Sequence, residues 1–182
     1  GKRVLDLGCG LGWHCRYAAE NGAKSVIGND ISKRMLSEAK SKTKYGNIEY
    51  IYMPIEDIDF PEESFDVVIS SLALHYVKSF EDLLDRVYKC LSKGGDFVFS
   101  VEHPIFTAQG PQDWYYDDEG NILHWPVDHY FTEGIRNAKF LGEEVIKYHR
   151  TLTTYLNSLI KKGFEITGVV EPKPVENMLN TV

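Results

Sequence analysis

The chain has 182 residues, 43% of them hydrophobic, enough to build one sizeable core, so a single domain over 1–182 is expected. Its formal net charge is −7 and no run of lysine and arginine forms a stripe, which disfavours non-specific binding to nucleic acid or an anionic membrane. No apolar run approaches bilayer length and no secretory signal is read, so no membrane partner is expected. Cys9, Cys15 and Cys90 are odd in number and lack C-x-x-C spacing, which points to a reduced, cytoplasmic compartment and no metal centre.

Val4–Leu7 reads as a short buried strand, followed by a turn with glycine at positions 8, 10 and 12 and a helix over Trp13–Glu20 closed by Gly22. Missing side chains let the backbone approach a ligand, and the helix N-terminus faces it. A dinucleotide fingerprint would need a third glycine at position 13, where Trp13 stands. The pattern is instead D-x-G-x-G-x-G, with Asp6 two residues before Gly8. A carboxylate there repels a pyrophosphate and suits a ligand carrying an ammonium group, which favours S-adenosylmethionine over NAD.

Ser25–Asn29 is a second strand with Asp30 at its carboxyl end, placed to accept from both hydroxyls of a ribose. Ser32 caps a helix carrying Met35, Leu36 and Ala39. Ile48–Met53 and Phe65–Ser70 are further strands, the latter apolar almost throughout as a central parallel strand requires. Ser79 opens a helix with Asp82 at the capping-box position and Leu83, Leu84, Val87 and Leu91 on one face. Gly94-Gly95 then turns into a fifth strand, Asp96–Glu102, and the alternation implies right-handed βαβ crossovers.

From His103 to Gly142 the alternation stops. Trp114, Tyr115, Tyr116, Trp125, Tyr130 and Phe131 stand among prolines and turn formers, which reads as a lid-like insertion folded over the sheet with its rings buried. Val145–Tyr148 is a strand of that insertion. A helix over Thr151–Lys162 stops at Gly163, Phe164–Val170 reads as a sixth strand, and Glu176–Val182 is a weak match to a seventh.

Val4–Trp13, Val26–Ser32, Ile55–Asp57, Ser64–Asp66 and Ser70–His75 resemble, in order and spacing, the motifs of class I S-adenosylmethionine-dependent methyltransferases. The likeness runs to about residue 102. It is nearest to the ubiquinone/menaquinone-biosynthesis kind (methyltransferase type 11), and SSLALHY, SVEHP, QDWYYDDEGN and LHWPVD are similar to a narrower bacterial group. The resemblance implies an α/β fold with a doubly wound, mostly parallel Rossmann-like sheet. It also implies a helical segment ahead of the first strand, which this sequence lacks, and an antiparallel last strand beside the sixth.

The family reading places the cofactor against Asp6, Gly8, Cys9, Gly10, Gly12, Asp30, Ile31, Ile55, Glu56, Ser71 and Leu72. Asp6 would face the methionine ammonium, Asp30 the ribose, Ile31 the adenine plane and Glu56 its amino group, since Pro54 stands where many relatives carry an acid. Ser71 and Leu72 would line the methionine arm. His75, Glu102 and His103 lie near the expected methyl position and are the candidates for a general base. His149-Arg150 reads as a salt-bridged face. No Asn/Asp-Pro-Pro-Tyr follows the fourth strand, no Pro-Cys pair occurs, and that strand ends in Ser70-Ser71 rather than aspartate. These absences set aside adenine- or glutamine-type amino methylation, cytosine C5 chemistry and a magnesium-dependent catechol site. The expected activity is in-line methyl transfer to a small, partly aromatic or apolar acceptor, with no nucleic-acid partner. The alternatives are a cofactor-binding protein without turnover and, behind it, a nicotinamide-dependent oxidoreductase.

Overall fold

The computed structural model describes residues 1–140 and 142–173. The predicted seventh strand, Glu176–Val182, lies outside them. Five parallel strands form the central sheet: β1 (Arg3–Leu7), β2 (Ser25–Asp30), β3 (Ile48–Tyr52), β4 (Phe65–Ser71) and β5 (Leu91–Ser100), in the order β3-β2-β1-β4-β5. The chain winds outward from β1 through β2 and β3, then returns to place β4 on the other side of β1. Strand order therefore reverses between β1 and β4, and the carboxyl edge there is where open α/β sheets bind ligands.

The two faces of β1 explain why it reads as continuous apolar sequence. Leu5 and Leu7 are fully buried with Val68 beneath α3 (Phe80–Cys90) and α5 (Leu152–Lys162). Val4 and Val26 pack on the opposite face against Cys15 and Ala19 of α1 (Trp13–Glu20) and Leu36 and Ala39 of α2 (Lys33–Lys42). Each fully buried Leu or Val contributes about 1.5–3 kcal/mol relative to exposure. The caps match the sequence: Ser32 Oγ accepts from the Met35 amide, Ser79 Oγ from Asp82 and Thr151 Oγ1 from Thr154. Gly163, at φ 97°, ends α5 in the left-handed conformation that a side chain disfavours.

β5 starts earlier than predicted. Phe65 pairs with Leu91 and Val67 with Asp96, so the register jumps across Gly94-Gly95 and the glycines form an irregularity at the strand's start rather than a turn before it. The sixth strand is expected to pair with the seventh, which lies outside the described residues. Among the described residues Phe164–Val170 joins no ladder, while Phe164 and Ile166 pack on the core beside Phe97.

After β5 come a short helix α4 (Pro104–Ala108), a small antiparallel pair β6 (Tyr115–Tyr116) and β7 (Ile122–His124), and an antiparallel ribbon β8 (Gly134–Phe140) with β9 (Glu143–His149). The strand expected at Val145–Tyr148 is part of β9, so the region outside the parallel alternation extends past Gly142. Its rings are less buried than expected: Trp114, Tyr115, Tyr116 and Phe131 are exposed, Phe131 by 90%. Among the described residues, no helix is long and apolar enough to cross a membrane.

Candidate active site

The turn between β1 and α1 depends on glycine for two different reasons. Gly8, Gly10 and Gly12 all have φ between 51° and 71°, where side chains are disfavoured. A Cβ on Gly8 would stand 2.6 Å from Ala73 Cβ and 3.0 Å from Ile55 Cδ1, and one on Gly12 would collide with the Tyr50 ring. These two glycines let the turn pack on the sheet. A Cβ on Gly10 would meet nothing within 4 Å, so Gly10 alone borders open space. The Cys9 amide donates to the Asn29 carbonyl, and its side chain packs into the core with Cys15.

Two carboxylates frame that turn. Asp30 accepts from the Gly10 amide at 2.9 Å through Oδ2 and from the Ser32 amide at 2.8 Å through Oδ1. Each oxygen thus takes one amide hydrogen and keeps capacity for another donor. Asp6 is buried; its Oδ2 takes the Cys15 thiol at 3.2 Å, while Oδ1 has no partner. Burial pushes the Asp6 carboxyl pKa above its ordinary value, with the Cys15 hydrogen bond opposing. An orphaned buried carboxylate oxygen is costly, and an ammonium donor from a ligand would satisfy it. The residues present therefore fit S-adenosylmethionine, with Asp6, Gly10 and Asp30 as the groups that would hold it.

The remaining cofactor residues divide by exposure. Ile31 and Leu72 are large apolar side chains left 65% and 56% exposed at the same edge, as surfaces for a flat ligand would be. Leu72 also holds φ 51°, with its amide bonded to the Ser100 carbonyl at 3.0 Å. Ser71 Oγ lies 3.4 Å from Ser100 Oγ. Ile55 is largely given over to the core against Gly8, whereas Glu56 stays partly exposed in the following 3-10 turn.

The three base candidates are all engaged with other groups of the chain. His75 is buried; its Nδ1 accepts from the Glu102 amide at 3.4 Å, and Nε2 lies 3.8 Å from Glu102 Oε1. Burial pushes its pKa down to about 4, so the ring is neutral near pH 7 and its free hydrogen sits on Nε2. Glu102 grips the Lys147 ammonium at 2.7 and 2.8 Å and accepts from Gln112 Nε2 at 3.1 Å. His103 caps α4 through Nδ1, and its Nε2 pairs with Glu171 at 2.7 Å.

Lys147 and Gln112 were missed by the sequence reading. The signal was the alternation of β9, in which Lys147 and His149 are buried and Ile146 is exposed. His149 bonds Thr107 Oγ1 and the Tyr130 carbonyl, and Arg150 donates to the carbonyls of Val77 and Lys78. The expected salt-bridged face is therefore a buried tether between segments.

Beside His103 lies an open, almost wholly apolar cleft of about 390 Å³ lined by His103, Ile105, Phe106, Trp114 and Trp125. Phe106 stacks on Trp125 at 4.9 Å, and Trp114 meets Trp125 edge-on at 5.3 Å. Tyr116 and His75 are not among its walls. The Lys147 ammonium stands 5.9 Å from the centre of the Phe106 ring, one of its walls.

Residues 5–99 match the methyltransferase domain family. The fold superposes on a Listeria monocytogenes chain assigned as an S-adenosylmethionine dependent methyltransferase, at TM-score 0.93 and 57% identity over 98% of this chain and 84% of that one. It also superposes on an S-adenosylmethionine dependent methyltransferase from Mesorhizobium loti, at TM-score 0.89 and 44% identity over 100% and 82%. An uncharacterized Haemophilus influenzae protein is 38% identical over 179 residues, covering 94% of this chain and 70% of its own length. A tRNA U34 carboxymethyltransferase from Hahella chejuensis is 31% identical over 148 residues, where this chain spans 41% of the relative. The motif order, the switch-point carboxylates and these likenesses agree: the chain belongs to the class I S-adenosylmethionine-dependent methyltransferases, with S-adenosylmethionine as its cofactor.

Proposed function

We propose that the protein methylates a small, flat, uncharged acceptor seated in the cleft between Phe106, Trp114 and Trp125. The cofactor supplies a methyl group on a sulfonium that is already activated for displacement. Asp6 and Gly10 would hold its methionine end with Leu72 along that arm, Asp30 the ribose, and Ile31 would pack on the adenine. What remains for the chain is to hold the two partners in line and dry, which well-oriented sites do at large rate benefit. The carrying observation is the aromatic cleft that opens at His103, the residue after Glu102. Its near absence of polar lining supports an uncharged ring. The net charge of −7 disfavours tRNA as the acceptor.

The test is production of S-adenosylhomocysteine from S-adenosylmethionine with a panel of neutral phenols and hydroquinones, set beside a tRNA pool and a matched set of amines. Turnover with the ring compounds alone is the expected outcome; turnover with tRNA alone overturns the reading. A second reading, cofactor binding without turnover, draws support from the three engaged base candidates. It predicts tight S-adenosylmethionine binding and no product with any panel.

A further inference from the structure

A buried cation links the sheet, the aromatic loop and the ribbon. Lys147 on β9 is 1% exposed, and an ammonium has three hydrogens to place. All three find acceptors: Glu102 Oε1 at 2.7 Å, Glu102 Oε2 at 2.8 Å and Gln112 Oε1 at 2.8 Å. Gln112 returns its own amide hydrogen to Glu102 Oε2 at 3.1 Å. The partners lie 45 and 35 residues from Lys147 in sequence, so three separate segments close on one charge.

We propose that Lys147 is a positioning residue of the acceptor site, pinning the loop that carries Trp114 to the end of β5 and so setting the shape of the cleft. Three observations carry this. Gln112 holds φ 54°, a left-handed conformation that a residue with a Cβ disfavours and that persists where surrounding contacts over-determine it. Its side chain, fixed on Lys147 and Glu102, lies two residues before Trp114. The ammonium also sits 5.9 Å from the ring centres of both Phe106, a wall of the cleft, and Tyr76, the neighbour of His75. Fold stability alone does not require such a pair, since a buried ion pair is often replaced by apolar groups without loss.

The inference rests on the cleft being the acceptor site, and the test separates the two. Trp13→Phe leaves Trp114 and Trp125 as the only tryptophans, so emission reports the cleft alone. In that background Lys147→Met leaves a buried carboxylate unpaired and risks misfolding. The double change Lys147→Met/Glu102→Met removes both charges and should fold. Gln112→Ala cuts only the loop's tether. Both the double variant and Gln112→Ala should bind S-adenosylmethionine within about twofold of the parent while acrylamide quenching of the two tryptophans rises severalfold. Binding of 2-naphthol, a neutral flat probe, should weaken by about tenfold or more. Unchanged quenching in both variants overturns the positioning role, whatever the naphthol result. If the parent itself fails to bind 2-naphthol, the acceptor-site reading falls, and the quenching comparison still judges the latch.

Discussion

Residues 1–102 and 103–173 are built on opposite logics. In the first region apolar side chains point inward, and the turn at the carboxyl edge is built from glycines at positive φ, two amides on the Asp30 carboxylate and an orphan oxygen on Asp6. In the second the ribbon turns its polar side chains inward, burying Lys147 and His149 while Ile135 and Ile146 face outward. Its order comes from contacts between residues far apart in sequence, such as Lys147 with Glu102 and His149 with Tyr130. A scaffold held by local turns and a core can bind a common cofactor, while a region held by a few buried polar ties is free to vary its walls.

The sharpest way to break this contrast is within the glycine turn. Gly8→Ala places a Cβ against Ala73 at positive φ and should cost about 2–5 kcal/mol from backbone strain and overpacking. Gly10→Ala should keep most of the stability and lose cofactor affinity instead. Chemical denaturation with calorimetry on both variants checks it, and equal stability losses would mean Gly10 is as structural as Gly8.

The contact between the two regions should show as acid sensitivity. His75 falls from an unfolded pKa of 6.5 to about 4, so folding favours its neutral form. Its contribution is whole above 6.5 and is lost as pH drops through about 4, a change on the order of 3 kcal/mol. His75→Gln should flatten that part of the stability-versus-pH curve, and a parallel curve would show that another group governs it.

On the cofactor side, Asp30→Ala removes a charged acceptor and should weaken S-adenosylmethionine binding by about 1.5–3 kcal/mol. Unchanged affinity in a folded variant would refute the ribose assignment. Asp6→Asn should weaken S-adenosylmethionine more than methylthioadenosine, which lacks the ammonium, and equal losses would make Asp6 purely structural. The smallest effect belongs to the outer region: Phe131→Ser, at a ring 90% exposed, should change stability by less than about 0.5 kcal/mol.

The same contrast explains what could be read from sequence. β1 to β4 and the helix starts at Ser32 and Ser79 are encoded by neighbours a few residues apart, and they were legible. Lys147 was not. In β9 a pattern of polar-in and apolar-out reads as an ordinary exposed strand, and nothing local says that the lysine has a carboxylate 45 residues away. Phe164 and Ile166 announce packing, and both pack on the core. The partners of the base candidates were not legible either, because a histidine's partners are a property of the fold.

The carboxylate of Asp30, as the proposed ribose partner, has one further consequence, for the sugars this edge would refuse. With each oxygen held by a main-chain amide, it cannot swing aside without unmaking the turn. Two vicinal hydroxyls meet it as donors, whereas a phosphorylated ribose would bring like charge to about 4 Å, a penalty of about 4 kcal/mol per unit charge near a protein surface. On the proposed ribose assignment, selection against phosphorylated coenzymes would be written into the backbone, and widening the pocket would not relax it.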